Sequence, residues 1–251
     1  MRLLRGIGVD VRTEFEGSRV WRLPSPAGPG RNGRRGLLVA VEGIDASGKS
    51  TVARGVVSRI AETGRSTLLL DRAGAAEAVA GYPASHLRGL HGLIWDYPEG
   101  ARTSQLGFEH WRHLLVAWFH VVDHLVVRPA VAGGVWVVAD SWFYKYVARF
   151  ALTAGLTDAE RSFAGVSVPS VVVWLDVDPE VCLRRRATTR ATETGEWLGL
   201  DGTARAFVDY QRRVRDVYGR LASMQDWARI DLDDVEAVVG RSCARLLGTG
   251  K

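Results

Sequence analysis

A glycine-rich stretch from Gly43 to Ser50 has the residue types and the spacing of a phosphate-binding loop. Its glycines allow backbone N–H groups to turn inward around anionic oxygens, while Lys49 supplies positive charge and the hydroxyl of Ser50 suits Mg²⁺. A chance glycine-rich turn is the plain alternative, but an apolar run precedes the stretch and a helix-compatible segment follows it, which is the context that this motif requires. We therefore expect a bound triphosphate, with these residues around it: Gly43, Ala46, Ser47, Gly48, Lys49, Ser50 and Thr51.

Short apolar runs alternate with helix-compatible segments from Leu37 onwards. Continuous apolarity is typical of parallel strands that are covered on both faces, and the alternation implies crossover connections. The predicted fold is α/β, a P-loop NTPase fold with a five-stranded parallel sheet flanked by helices. The predicted strands are Leu37–Val41, Thr67–Leu70, Val135–Ala139, Val171–Leu175 and Ala228–Leu232, and the predicted helices are 49–63, 84–94, 103–132, 141–154, 179–190, 201–224 and 234–247.

Residues 1–36 differ from the rest of the chain and are predicted to form an N-terminal extension. Weak alternation in 9–16 and an apolar run in 20–23 suggest a small hairpin, and the Pro, Gly and Arg content of 24–36 is typical of a linker. A basic arm that binds a partner is possible, but an extension without catalytic importance is the simpler interpretation. The predicted kinase-like domain is 37–251.

The composition restricts the class of protein only weakly. The net charge of +5 comes from arginine, because Lys49, Lys145 and Lys251 are the lysines among 33 basic residues. A basic excess can indicate nucleic acid, a membrane surface or small phosphorylated ligands, but arginine also follows a GC-rich genome, so the charge by itself decides little. We expect neither a nucleic acid nor a membrane as partner. The two cysteines fit a reducing cytoplasm and lie in no Cys-x-x-Cys pair. We expect no membrane-spanning helix and no secretory signal.

Charged residues follow each predicted strand, where ligands bind in open parallel sheets. Phosphoryl transfer needs such a mixture of charges, because the protein holds donor and acceptor in line and neutralises charge on the transferred group. The acidic and basic residues at these strand ends are Asp45, Asp71, Arg72, Asp140, Asp176, Asp178, Asp231, Asp233 and Asp234.

Two of these features have more than one interpretation. Asp140 suits an outer-shell Mg²⁺ ligand, although it could also cap the helix predicted from Ser141, and we favour the metal-linked role. The cluster Arg184, Arg185, Arg186 and Arg190 could fold over phosphates as a mobile lid, with 188–199 as its flexible part. A solvated helix face is as good an explanation for any single one of these arginines.

These residues together resemble the thymidylate kinase family of nucleoside monophosphate kinases. The resemblance extends over roughly 37–247 and is most specific in the Glu-Gly-Ile-Asp form of the loop and in the Asp-Val-Asp-Pro-Glu segment. The matching stretches are Glu42–Thr51, Arg72, Arg128–Ala130 before Gly133-Gly134, Val137–Asp140, Leu175–Glu180, and Phe207, Tyr210, Val214 and Tyr218.

The resemblance implies an ATP- and Mg²⁺-dependent kinase of a small-molecule phosphate acceptor, and a cytoplasmic homodimer. Lys49 and the loop would hold the ATP phosphates, with Ser50 and Asp140 at the metal. Asp45 would lie between donor and acceptor, and Arg72 would clamp the acceptor's phosphate. One branch of the family has an arginine directly after the aspartate of the loop, whereas this chain has Ala46. The resemblance therefore implies that the catalytic arginines come from the lid, as Arg185 and Arg190.

The chain departs from the family pattern mainly in the acceptor region. Ser141 stands in place of an arginine after Asp140, Val116 in place of a stacking phenylalanine, and His120 in place of a base-reading arginine. An imidazole offers fewer donors than a guanidinium. Trp111 is one of several aromatic residues nearby that could line an enlarged pocket. We therefore expect a nucleotide-like acceptor other than dTMP.

Two other functions remain open at this point. A nucleoside or a specialised metabolite could be the acceptor, since the segment from Pro179 to Arg185 also resembles deoxynucleoside kinases. The rewritten acceptor region also allows a nucleotide-binding protein without catalytic activity.

Overall fold

The computed structural model describes residues 11–13, 19–21, 36–96, 98, 101–186, 188, 190–198, 200, 202–225 and 227–230, together with 237, 240, 243, 244 and 246. Near the N-terminus, strands β1 (Val11–Thr13) and β2 (Arg19–Trp21) pair antiparallel. This pairing confirms the predicted hairpin. Whether the N-terminal 36 residues form a separate unit stays a prediction.

The core is a five-stranded parallel sheet with the strand order β4-β5-β3-β6-β7. Its strands bury almost every side chain, which explains why their sequences are continuously apolar. The sheet confirms the predicted α/β fold. The strands are β3 (Leu38–Gly43), β4 (Thr67–Leu70), β5 (Trp136–Asp140), β6 (Val171–Leu175) and β7 (Ala228–Ile230).

The strand predictions are correct to within two residues. β3 extends two residues beyond the predicted Val41, because Glu42 and Gly43 still pair with Trp174 and Leu175 of β6. The strand therefore runs directly into the glycine-rich loop. The last two residues predicted for β7 lie outside the described part of the chain.

Helices cover both faces of the sheet and connect its strands. Most of the predicted helices are present, with the first and last turns shifted. The helices are α1 (Lys49–Ala61), α2 (Gly74–Glu77), α3 (Tyr82–Trp95), α4 (Phe108–Val122), α5 (Arg128–Ala132), α6 (Tyr144–Ala154), α7 (Leu156–Ser162), α8 (Pro179–Arg184), α9 (Ala191–Thr194) and α10 (Ala204–Gln225), with 3₁₀ turns at Thr103–Leu106 and Glu196–Leu198. Most of the helix predicted at 234–247 lies outside the described residues.

The segment predicted as one helix at 103–132 is divided in the structure. A 3₁₀ turn precedes α4, and a π-helical turn, Asp123–Val127, joins α4 to α5. By length and composition alone, Phe108–Ala132 could cross a membrane. Buried residues of α4 belong to the hydrophobic core, however, as expected for a core helix.

The helix after β5 begins later than predicted. Ser141 has a positive φ of 67°, and the backbone N–H of Trp142 donates to Glu42 Oε1, so the chain makes a turn here before α6. The N-cap of α6 is Phe143. Asp140 therefore does not cap this helix, and the alternative explanation for its carboxylate is wrong.

Two acidic residues after β6 have structural roles. The side chain of Asp176 is 2% exposed and forms ion pairs with Arg215 of α10 and Arg229 of β7. Asp178 caps α8 by accepting a hydrogen bond from the N–H of Glu180. Asp176 and Asp178 thus connect β6 to its neighbours, and neither lines the cavities at the glycine-rich loop.

We predict that Asp176→Asn destabilises the protein by about 1–3 kcal/mol, because it removes the charge that two arginines share. This loss of stability is smaller than the loss expected for a fully buried ion pair, because Arg215 and Arg229 are 31% and 59% exposed. Urea unfolding measures the free energy. Asp158→Asn is the control, because its pair with Arg161 is solvent-exposed and worth within about 0.5 kcal/mol. Equal losses of stability for the two substitutions would contradict the structural role of the Asp176 ion pairs.

Candidate active site

The loop after β3 has the backbone of an anion-binding cradle. Gly43, Ala46 and Gly48 all have positive φ angles. A Cβ on Gly43 would lie 2.7 Å from Ser47 Oγ and 2.8 Å from the carbonyl oxygen of Leu175, so no larger residue fits there. The ammonium group of Lys49 is buried and donates to the carbonyl oxygen of Ile44 at 2.6 Å. The loop is thus folded around its own lysine.

A buried carboxylate, Glu42, lies directly beneath this loop. It accepts hydrogen bonds from Trp142 N at 2.7 Å, from Ser141 Oγ at 3.0 Å and from the Tyr218 hydroxyl at 3.0 Å. Burial raises the pKa of Glu42 to about 7, although the three donors and Lys49 oppose that rise. Glu42 therefore connects β3, the turn before α6 and α10 under the phosphate-binding loop.

Asp45, at the top of the loop, binds side chains from two helices. Lys145 Nζ donates to Oδ1 at 2.7 Å, Arg149 of α6 pairs with Oδ2, and Gln211 Nε2 of α10 donates to Oδ2 at 2.9 Å. The Gln211 side chain also accepts from the Asp45 N–H at 3.1 Å. Burial disfavours the charged form, but Lys145 and Arg149 outweigh it and hold the pKa of Asp45 well below its ordinary value. Asp45 is therefore ionised.

Two cavities adjoin the loop. The loop cavity, about 810 Å³, is lined by Asp45, Ala46 and Gly48 to Thr51 of the loop, by Arg72, by Asp140 and by Arg185. The aromatic cavity, about 250 Å³, is lined mainly by side chains of α3, α4, α6 and the segment 190–198: Ile94, Trp95, Thr103, Trp111, Leu115, Arg149, Arg190, Thr192, Glu193 and Trp197.

The two cavities share several charged and aromatic lining residues. Both are lined by Asp45, Arg72, Lys145 and Arg186, and by the rings of Trp95 and Tyr146. Ligands in the two cavities would therefore meet beside a carboxylate held between cations. This arrangement suits the transfer of a charged group from one ligand to the other.

The predicted phosphate-binding arginines lie at the cavities. Arg72 is exposed, and its guanidinium lies over the Trp95 ring at 5.3 Å. Arg185 lines the loop cavity and donates to the carbonyl oxygen of Ser47 at 3.4 Å, while Arg190 lines the aromatic cavity. The described part of the predicted lid is structured: Arg186 pairs with Glu193 at 2.8 Å, and Glu196 accepts from Thr103 and Ser104. The mobility of the lid stays a prediction.

Curated relatives share most of the length of this chain. It is 32% identical to a thymidylate kinase of Caenorhabditis elegans over 214 residues, 83% of this chain and 90% of the relative. The chain belongs to the thymidylate kinase family. Thymidylate kinases of Nitrobacter winogradskyi and Pelodictyon phaeoclathratiforme are each 28% identical, and cover 88% and 84% of this chain and 92% and 95% of their own lengths. No protein-family model matches the chain.

Two of the predicted acceptor contacts lie away from the cavities of this thymidylate kinase family member. Val116 is half-buried against the core and His120 is exposed, and neither lines the loop cavity or the aromatic cavity. Trp111 does line the aromatic cavity, as predicted. The positions one residue before the other two, Leu115 and Phe119, also face the cavities. The helical register that we inferred from the family pattern is therefore one residue too late.

The partners of Asp45 are not apparent from the sequence. Lys145, Arg149 and Gln211 lie about 100 and 166 positions from Asp45 along the chain, and no local motif marks them. One signal was present, because Lys145 is one of three lysines in a chain whose other basic residues are arginine. Lys145 and Arg149 also bring positive charge to the region where the expected arginine after Asp140 is replaced by Ser141.

We predict that both active-site lysines titrate below the ordinary lysine pKa of 10.5. Burial lowers the pKa of Lys49 to about 8 and also lowers that of Lys145, and in both the carboxylate of Asp45 opposes the shift. NMR of ¹³C-lysine-labelled protein between pH 6 and about 11 follows each Cε signal. Lys145→Arg assigns the signals.

Asp45→Asn removes the opposing charge, so both pKa values should fall further. This electrostatic description would be contradicted if the Lys49 and Lys145 signals titrated near 10.5 in the unsubstituted protein. It would also be contradicted if Asp45→Asn left the pKa values of both lysines unchanged.

Proposed function

We propose that this phosphotransferase transfers the γ-phosphoryl group of ATP to the phosphate of a nucleoside monophosphate or a nucleotide-like acceptor other than dTMP. The observation that carries the proposal is the junction of the two cavities at Asp45, Arg72, Lys145 and Arg186. An oxygen of the acceptor's phosphate attacks the γ-phosphorus there, and the bond to the departing ADP oxygen breaks.

The residues of the loop cavity fit a triphosphate with Mg²⁺. The buried hydroxyl of Ser47 has no hydrogen-bond partner among the described residues, so it is free to bind a phosphate oxygen. Gly43, Ala46, Ser47, Gly48, Lys49, Ser50 and Thr51 would hold the phosphates. ATP supplies the transferred group, and Mg²⁺ neutralises its charge.

Ser50 and Asp140 would hold the metal ion. Among the described residues no cluster of three metal-binding side chains exists, which suits Mg²⁺, because one or two carboxylates together with phosphates and water are enough for it. Asp140 is half-buried and lines the loop cavity. Its carboxylate is also close enough to Lys49 to raise the pKa of that lysine.

Two residues that the sequence did not indicate, Lys145 and Arg149, also belong to the proposed active site. Lys145 lines both cavities and is 17% exposed, so its ammonium group can reach a phosphate at the junction. Arg149 is buried and paired with Asp45, which makes it a positioning residue. Arg185 and Arg190 would add positive charge from the lid. Asp45 orients Lys145 and Arg149 and does not accept a proton, because its pKa is held well below the ordinary value.

A coupled assay of ADP release, with a panel of nucleoside monophosphates and nucleosides, tests the function. We expect phosphorylated acceptors to stimulate ADP release, and Lys49→Ala to lower kcat by at least about 100-fold through loss of charge stabilisation. Arg59→Ala is the control, since Arg59 is exposed and pairs with the exposed Glu62. ADP release that no acceptor stimulates, and that Lys49→Ala leaves unchanged, would refute the proposal.

Arg72→Ala tests whether the acceptor is already phosphorylated. We expect kcat/KM for the acceptor to fall by about 100-fold or more, because a guanidinium–phosphate contact is charge-assisted. The KM for ATP should change little. Arg88→Ala, at an exposed position of α3, is the matched control. If Arg72→Ala leaves kcat/KM unchanged for the best acceptor, that acceptor is uncharged at this point and the enzyme is a nucleoside or metabolite kinase.

We also propose that the enzyme is a cytoplasmic homodimer. Both cysteines are free and buried, which is compatible with a reducing compartment. The outward face of α4, with His113, Ala117 and His120, is exposed in the single chain and available to a second copy. Light scattering coupled to size-exclusion chromatography measures the mass of the particle directly.

A further inference from the structure

A third cavity, of about 630 Å³, shares no lining residue with the loop cavity or the aromatic cavity. We call it the β6 cavity, because the first two residues of β6, Val171 and Val172, line it. The described pairing of β6 with β7 begins at Val173, so β6 extends past β7 at this point. The other lining residues belong to the loop 163–170, to the start of α6, to α7 and to the connection from α10 to β7. Small-molecule sites typically have volumes of about 300–1,000 Å³, and the β6 cavity lies within that range.

The lining of the β6 cavity is mostly apolar. Three of its aromatic residues, Phe143, Tyr144 and Trp227, are buried and pack in a row. The centre of the Tyr144 ring lies 4.4 Å from that of Phe143 and 4.7 Å from that of Trp227. Val168, which lines the same cavity, is 69% exposed. A ligand with a flat, apolar body would therefore bury surface against rings and aliphatic carbon here.

The polar side chains of the β6 cavity form a chain of hydrogen bonds that ends at a carboxylate. The Tyr144 hydroxyl donates to Gln225 Oε1 at 2.7 Å, and Gln225 Nε2 donates to Glu160 Oε1 at 3.2 Å. The hydroxyl proton of Tyr144 is thus already engaged within the protein. A carboxylate accepts about four hydrogen bonds, so Glu160 keeps acceptor capacity for a ligand.

The charge of this carboxylate is not compensated by the described side chains around it. Glu160 is the one residue with a formal charge at neutral pH among the described residues that line the β6 cavity. It is half-buried, and its described side-chain contact is the neutral amide of Gln225. Asp158, on the same helix, has Arg161 as its ion-pair partner. A carboxylate beside aromatic rings favours a cation, which gains a charge-assisted hydrogen bond and contacts with the ring faces.

We propose that the β6 cavity binds a small organic monocation, with a primary ammonium group at Glu160 and a flat, apolar body against Trp227 and the valines. This ligand differs from the substrates of the proposed reaction, which carry negative charge. The site also adjoins elements that build the active site. Tyr144 precedes Lys145 in α6, and Trp227 packs at 6.1 Å against Tyr218, whose hydroxyl donates to Glu42.

Three fluorinated probes of similar shape test the class of ligand: the cation para-fluorophenethylammonium, the neutral para-fluorophenethyl alcohol and the anion para-fluorophenylpropionate. Fluorine NMR of each probe, titrated with the whole chain at neutral pH, measures the dissociation constants. We expect the ammonium to bind at least about 5-fold more tightly than the alcohol, because a hydrogen bond to a carboxylate is stronger when the donor is charged. The anion should bind most weakly. A smaller preference for the ammonium, or no binding of it, would overturn the proposal.

Glu160→Gln removes the charge and keeps the size of the side chain, so the preference for the ammonium over the alcohol should disappear. Asp158→Asn is the matched control, because Asp158 lies on the same helix, is 64% exposed and does not line the β6 cavity. In that variant the preference should remain. An ammonium preference that survives Glu160→Gln, or that Asp158→Asn removes to the same extent, would contradict the role of Glu160.

Two further measurements locate the bound probe. Ala164→Phe adds a ring at an exposed lining position and should weaken the binding of the ammonium and of the alcohol alike. Saturating ATP with Mg²⁺ should leave the affinity for the ammonium unchanged, because the β6 cavity shares no lining residue with the other two cavities. Displacement by ATP, or undiminished binding to the Ala164→Phe variant, would place the probe elsewhere and refute the proposal. These outcomes are independent of the proposed function, since none of them requires phosphoryl transfer.

Discussion

The buried carboxylate of Asp45 is the interaction on which the arrangement of this site depends. It lies within the phosphate-binding loop and accepts from Lys145, Arg149 and Gln211. Removing one member of such a buried group typically costs about 3–5 kcal/mol, because the remaining charges lose their partner where water cannot replace it. One carboxylate thus fixes α6 and α10 relative to the loop. It also holds the side chains of Lys145 and Arg149 in place in the absence of a bound phosphate.

The remaining features of the site follow from that position. The loop cavity and the aromatic cavity meet at Asp45 and Lys145, so these charges lie where ligands in the two cavities would approach each other. The lid connects to the same group, because Gln211 binds the carbonyl oxygen of Glu193 as well as Asp45. The segment that contains Glu193 and the cations around Asp45 are therefore linked through one side chain.

Local patterns in the sequence predicted the strands, the glycine-rich loop after β3 and the position of Arg72 after β4, because each follows from residues that are adjacent in the chain. The partners of Asp45 could not be found in this way, since they depend on how α6 and α10 pack against the loop. The register of α4 was misjudged for a related reason: a family pattern specifies spacing, whereas the face of a helix depends on its rotation. The turn at Ser141 likewise results from the hydrogen bond between Trp142 and Glu42, which are 100 residues apart.

A crystal structure with a bisubstrate inhibitor, in which a nucleoside monophosphate is tethered to the phosphates of ATP, tests the central claim most directly. We predict that the linking phosphates lie between Lys49 and Lys145, with the acceptor's phosphate at Arg72 and its ring among Trp95, Trp111 and Leu115. The ion pairs of Asp45 with Arg149 should persist in the complex. An acceptor group bound outside the aromatic cavity, or linking phosphates remote from Lys145, would contradict the claim that phosphoryl transfer takes place at the junction of the two cavities.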